Sequence, residues 1–202
     1  QDITEPNNPI SLEAYSSATK STTIETGNWY NFSSPYFDWP DAGETGGAED
    51  GVGGSGVAGY YVYFGTDSSA DPQTDGEYQT ISEYTASSLT SGETYYLRIK
   101  TKDEAGNVST DTWQPFVYKF DNTPPENPTT ITVDPPGYTN TNQFTFAWSG
   151  ATDSASLVKE YCYKTGASDS VETCTSETSV SGSLAYQTGI NTFYLRTKDN
   201  AG

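Results

Sequence analysis

The side chains able to do chemistry in this chain are carboxylates, two cysteines and a large set of aromatics. Of 202 residues, 27 are Asp or Glu and 9 are Lys or Arg, while His and Met are absent. Without imidazole there is no histidine base, no histidine-based triad and no His-containing zinc site. A formal charge of -18 repels nucleic acid and anionic lipid surfaces. Two carboxylates can act as acid and base on a glycosidic bond, but they need a cleft holding them roughly 5–9 Å apart, and no spacing here selects such a pair. The sequence therefore reads as non-enzymatic.

Cys162 and Cys174 bracket the turn-rich segment YKTGASDSVET, which can fold back as a hairpin. A disulfide is expected, which points to an oxidising, extracytoplasmic compartment; the alternative is two free thiols on an outer face. The insertion DAGETGGAEDGVGGSG, residues 41–56, is glycine-rich and acidic. It lacks the Gly-Lys-Ser/Thr ending of a phosphate cradle, and its carboxylates repel phosphate. A flexible exposed loop is expected, with ion or partner binding as its other use. Trp29 and Trp113 fall in irregular segments that suit either core packing or a sugar-stacking platform. Asn31-Phe32-Ser33 and Asn107-Val108-Ser109 have the pattern of glycosylation sequons.

The elements that must position these groups are strands. Low hydrophobicity with high charge resembles a disordered chain, yet 16 Tyr, 8 Phe and 4 Trp supply a core. Gly, Thr, Ser and Tyr favour strands and turns over helices, no segment has helical periodicity, and no apolar run approaches the ~20 residues that span a bilayer. The missing Met marks Gln1 as a processed terminus or the start of a fragment.

An internal repeat organises the chain. DITEPNNPISL from Asp2 matches DNTPPENPTTITV from Asp121, FDWPDA around Trp39 matches FAWSGA around Trp148, GVAGYYVYFGT matches LVKEYCYKTG, and IKTKDEAG matches LRTKDNAG. Two modules follow, residues 1–122 and 123–202. The second stops before a counterpart of NVSTDTWQPFVYKFD, whose alternation reads as a last strand. Aligning Tyr61 and Tyr63 with Tyr161 and Tyr163 predicts that these four tyrosines, with Val57 and Leu157, face inward, and that Tyr60, Phe64 and Cys162 face outward. Leu97, Ile99 and Thr101 match Phe193, Leu195 and Thr197 on an inner face, which leaves Arg98 and Lys100 facing water.

The Trp of the second strand, GYYVYFGT, and LTSGETYYLRIKTKDEAGN together resemble a fibronectin type III domain or a related bacterial Ig-like domain, in both copies. The resemblance implies an all-β fold of two tandem β-sandwiches, the second lacking its final strand. Leu89, Gly92 and Tyr95 match the family's corner motif, with Ser91 in place of its proline, so Tyr95 is the corner tyrosine; Asn191 stands at that position in the second copy, where the corner bond must be replaced. On the family topology the incoming linker and two loops meet at one end of each sandwich. That gathers Asp2, Asp50 and Asp103 in the first copy and Asp121, Asp153 and Asp199 in the second, oxygen sets suited to Ca²⁺. The resemblance implies a non-enzymatic structural or adhesive module of an extracellular bacterial surface protein, serving as stalk, surface layer or adhesin repeat. Its expected partners are neighbouring repeats or surface polysaccharide. The alternatives are a filament subunit assembled by strand donation at the open edge of TFYLRTKD and a carbohydrate-binding accessory module. Proline-rich Thr123-Pro124-Pro125-Glu126-Asn127-Pro128 is expected to be an extended, semi-rigid linker.

Overall fold

Segments that alternate aromatic or β-branched residues with polar ones become strands, because a pleated backbone sends successive side chains to opposite faces. The computed structural model describes residues 2–166 and 171–202 and divides into two units, Gln1–Asn122 and Thr123–Gly202. The first unit contains β1 (Glu13–Tyr15), β2 (Trp29–Tyr30), β3 (Tyr36–Asp38), β4 (Val57–Gly65), the one-turn helix α1 (Pro72–Asp75), β5 (Glu77–Gln79), β6 (Glu83–Thr85), β7 (Glu93–Asp103) and β8 (Trp113–Phe120). One sheet has the order β1-β3-β6 and the other β2-β8-β7-β4-β5. Every pairing is antiparallel except that of β2 with β8.

Aromatic rings fill the space between these sheets. Phe37 of β3 lies 5.4 Å from Phe64 and 5.1 Å from Phe116 between ring centroids, and Trp39 meets Tyr60 edge-on at 5.4 Å. Leu97, Ile99 and Thr101 are fully buried on β7, as their matching predicts. On β4 the faces are the reverse of the sequence expectation. Tyr60 and Val62 are buried and Phe64 packs on the core, whereas Tyr61 lies against Tyr78 of β5. The match between the repeats is one residue out: Tyr60 pairs with Thr101 and Tyr161 with the equivalent Thr197, and both strands enter through the same bulge, Val57 to Gly59 and Val158 to Glu160. The extra residue shifts the alternation, so Val57 and Tyr60 both turn inward. Tyr161 therefore corresponds to Tyr60, one position away from the residue chosen by matching letters, and a one-residue slip exchanges every face.

Arg98 and Lys100 do project from the outer face of β7, but the segment carrying α1 covers them. Arg98 donates to the carbonyls of Ala70 (2.7 Å) and Ser68 (2.5 Å) and to Gln114 Oε1 (2.6 Å). Lys100 is 9% exposed and pairs with Asp71 at 3.1 Å. Asp71 also caps α1, accepting the Gln73 N–H at 3.0 Å. That bond first, and Lys100 second, hold its carboxyl below the usual value.

The second unit repeats the order with β9 (Thr130–Asp134), β10 (Phe144–Ser149), β11 (Val158–Thr165), β12 (Thr173–Thr175), β13 (Ser179–Gly182) and β14 (Phe193–Asp199). Its sheets are β9-β10-β13 and β12-β11-β14, the counterparts of β1-β3-β6 and β5-β4-β7. Among the described residues no strand pairs with the outer edge of β14, the place that β8 takes on β7. Phe146 stacks on Phe193 at 4.1 Å, Tyr163 on Phe193 at 5.6 Å, and Trp148 meets Tyr161 at 5.5 Å. Tyr161 and Tyr163 thus face inward as expected, but Leu157 is 63% exposed, and Val158 takes the place of Val57. Cys162 stands directly opposite Cys174 on the β11–β12 pair and is joined to it by a disulfide. The tip of the hairpin, residues 167–170, lies outside the described residues.

Two outcomes follow from these contacts. Asp71→Ala should cost about 1 kcal/mol for the lost cap and more for the buried ammonium left unpaired, whereas Asp71→Asn keeps a capping oxygen and loses only the charge. Because the Asp71 carboxyl is depressed in the fold, its contribution is present above its ordinary value of 3.8 and is lost as pH falls through the lower folded value. Urea titrations should therefore show wild type and Asp71→Asn converging in acid. Replacing both cysteines by Ser should lower the stability of the second unit by about 3 kcal/mol, read in calorimetry as a shift of one transition with the other unmoved.

Candidate functional site

At one end of the first unit, the Val57–Asp103 pairing sets the start of β4 beside the end of β7. The N-terminal segment is built into that end. The Asn7 N–H donates to the Glu49 carbonyl at 2.7 Å. Asn8 Oδ1 accepts from the Thr101 N–H (2.9 Å), the Thr101 hydroxyl (3.0 Å) and the Ser109 hydroxyl (2.9 Å). Residues read from the sequence as a linker therefore belong to the sandwich.

These ties bring Asp2, Asp50 and Asp103 together, each offering a carboxylate oxygen within 4.8 Å of the others. Asp103 is fully buried at the turn after β7. Its Oδ1 accepts the Gly106 and Asn107 N–H groups, both at 2.7 Å, and its Oδ2 the Asn107 side-chain amide at 2.6 Å. Asn107 is thus spent on Asp103 inside the site. Asp2 accepts the Thr4 N–H at 2.9 Å and the Ser55 N–H at 2.7 Å, and these bonds, Thr4 first, hold its carboxyl below the usual range.

Asp50 sits in the glycine-rich insertion, which is a mostly exposed loop as the sequence predicts but turns Ala48 and Asp50 inward. Ala48 is fully buried and Asp50 is 8% exposed. Asp50 Oδ2 accepts the Gly56 N–H at 2.7 Å, while its Oδ1, sealed from solvent, has no hydrogen-bond partner. A Cβ on Gly54 would collide with the Asp50 carbonyl and carboxylate, so the wrap around Asp50 requires glycine there.

The second unit reuses the devices with other residues. The Glu126 N–H donates to the Thr152 carbonyl at 2.8 Å, and the Thr197 N–H to Asn127 Oδ1 at 2.9 Å. Glu126 and Asn127 are accordingly tied to this unit, although the sequence reads them as linker. Asp153, directly after the bridged Thr152, accepts the Leu157 N–H at 2.7 Å, as Asp50 accepts that of Gly56. Asp199 accepts the Ala201 and Gly202 N–H groups at 2.9 and 2.7 Å and offers an oxygen within 4.8 Å of one from Asp153. Asp121 stands where Asp2 stands in the first repeat. It closes β8 of the first unit, where it is buried and accepts the Ser91 hydroxyl at 2.8 Å.

The sequence reading missed Asn8, Asn127 and Ser55; the signal for the first two was present in the Asn-Pro shared by both repeats. Trp29 and Trp113 do not share a platform. Trp29 pairs with Lys119 on β8, which lies about 20 Å along the strand from position 113, and Trp113 packs against the core.

At the opposite end of β7, the Tyr95 hydroxyl accepts the Thr90 N–H at 2.7 Å, closing a tyrosine corner. Asn191 does the same work in the second unit, its Oδ1 accepting the Tyr186 N–H at 2.9 Å. Strand order and corner together make the chain a tandem of fibronectin type III-like β-sandwich modules. No family model matches it. Over 159 residues it is 31% identical to Exoglucanase B of Cellulomonas fimi, a match that takes in 76% of this chain and 14% of that protein's length. Among solved structures, the FN1-FN3 domains of chicken CNTN1 align with a TM-score of 0.46 at 15% identity, over 98% of this chain and 63% of that one. A chitinase from Bacillus thuringiensis aligns with a TM-score of 0.35 at 15% identity, over 99% and 28%.

Gly54→Ala should displace Asp50 and its ties to the β4 entry, at a cost of about 1–3 kcal/mol for the forced shift. Chemical denaturation of the first unit measures it, with Gly54→Ser expected to behave alike.

Proposed function

We propose that this chain is a non-catalytic accessory segment of a larger extracellular protein, in which its tandem sandwiches act as a structural spacer. The observation that carries this reading is the match to 14% of the much longer Exoglucanase B, together with a fold that spends its inner faces on ring packing. The Cys162–Cys174 disulfide suits an oxidising compartment. Among the described residues no helix is long and apolar enough to cross a membrane.

A spacer is selected for stiffness and for folding as separate units. Neighbouring repeats of the same protein are then its partners, as in a stalk or adhesin shaft. The test mixes the purified chain with microcrystalline cellulose, because the relative is named an exoglucanase. The chain should stay in the supernatant. Depletion of most of it onto the solid would replace the spacer reading by a carbohydrate-binding accessory role, and turnover of a soluble β-glucan that tracks the purified chain would overturn the non-catalytic one.

A further inference from the structure

We infer that Asp2, Asp50 and Asp103 form a calcium site that locks the N-terminal segment and the acidic insertion onto the first sandwich. This goes beyond the spacer reading and does not rest on it. Three segments far apart in sequence each deliver a carboxylate oxygen within 4.8 Å of the others. Folding has placed three negative charges together, and none of the three is in an ion pair among the described residues. Two of them, Asp50 and Asp103, are buried, where an ionised carboxylate without a compensating charge is unfavourable.

A second, independent observation points to a ligand. The Asp50 side chain is more than nine-tenths buried, and its Oδ1 is sealed from solvent with no donor, although Oδ2 is satisfied by Gly56. A buried acceptor beside two further carboxylates is what a cation leaves when the surrounding backbone amides have already been assigned to the other oxygens.

The donor chemistry selects the ion. Every candidate ligand is a hard oxygen, the chain has no His, and both cysteines are in a disulfide, so zinc and softer metals lack their ligands. Calcium takes six to eight oxygens in a flexible shell, whereas magnesium demands a near-ideal octahedron and keeps several of its waters. Three carboxylates brought in by separate segments suit the larger, more adaptable ion. The Ser55 hydroxyl, 3.5 Å from Asp50 Oδ2, and water complete a shell of six to eight oxygens.

The test uses the full chain stripped with EDTA and titrated with CaCl₂ in calorimetry and isothermal titration. The expected result is saturable heat together with a rise of roughly 5 °C or more in the transition of the first unit. Asp50→Asn should abolish that rise. Asp2→Asn, on the less buried ligand, should weaken binding at least tenfold with the fold intact, so the inference stays testable if the Asp50 variant does not fold. An unmoved transition at 10 mM calcium (roughly the weak end of extracellular calcium modules, with margin) would overturn it. So would an equal shift in Asp2→Asn, or an equal effect of MgCl₂, which would reduce the effect to charge screening.

Discussion

The structure depends on one register, the antiparallel pairing of β4 with β7 and its bulge at the entry to β4. Val57 against Asp103, then Gly59 against Lys102, fixes two things together. The extra residue turns Tyr60, Val62 and Phe64 toward Leu97 and Ile99, which closes the core. The same pairing sets the end of β7, with Asp103, beside the start of β4, where Ser55 and Gly56 hold Asp50 and Asp2. Core and acidic end are therefore not separable features. A slip by one residue would expose three large side chains and pull the carboxylates apart. The second unit has the same arrangement, with Val158 against Asp199 followed by Glu160 against Lys198.

The two modules solve shared geometric problems with different residues. At the corner, a tyrosine hydroxyl in one and an asparagine carboxamide in the other accept an amide proton from five residues upstream. At the loop before the central strand, Gly56 has φ 97° and Leu157 has φ 67°. Glycine accepts that conformation freely, while leucine carries a strain of roughly 1–2 kcal/mol that its hydrogen bond to Asp153 helps to offset. Geometry is retained where a backbone amide must be satisfied, and the side chain that satisfies it is free to change. The second unit compensates for thinner packing with a disulfide across β11 and β12, a cross-link that acts on the unfolded chain rather than through added contacts.

The net charge looks different once the fold is known. Part of it is not a solvated surface at all: Asp50, Asp103, Asp121 and Asp199 are buried, each at the end of a module or a strand, and each accepts backbone or hydroxyl protons. Backbone amides at turns supply most of those bonds, so the loops of this end are organised by carboxylates rather than by apolar packing. The glycine-rich insertion illustrates it. Its composition suggests mobility, yet Gly54 is there because the chain passes too close to Asp50 for any side chain.

Much was legible without coordinates. Composition and alternation determined an all-β chain, the repeat determined that the same strands occur twice in the same order, and the spacing of Cys162 and Cys174 within one turn-rich segment made a disulfide the expected reading, which the structure forms. The acidic positions that meet in the first unit were legible through the resemblance, because the family topology gathers the linker and two loops where both repeats carry Asp. Tertiary structure alone decided which face of β4 is inside, since adjacent tyrosines let the repeats be matched on Tyr60 or on Tyr61, and only the pairing of Tyr60 with Thr101 and of Tyr161 with Thr197 fixes the register. It decided that Arg98 and Lys100 are covered, because α1 folds over a face that alternation marks only as polar. It decided that Asn8 and Asn127 pin their segments to the sandwich: the Asn-Pro shared by both repeats marks the positions, but the partners lie 93 and 70 residues away and are not written beside them. Local pattern is written in neighbouring residues; register and long-range hydrogen bonds exist only once distant segments have met.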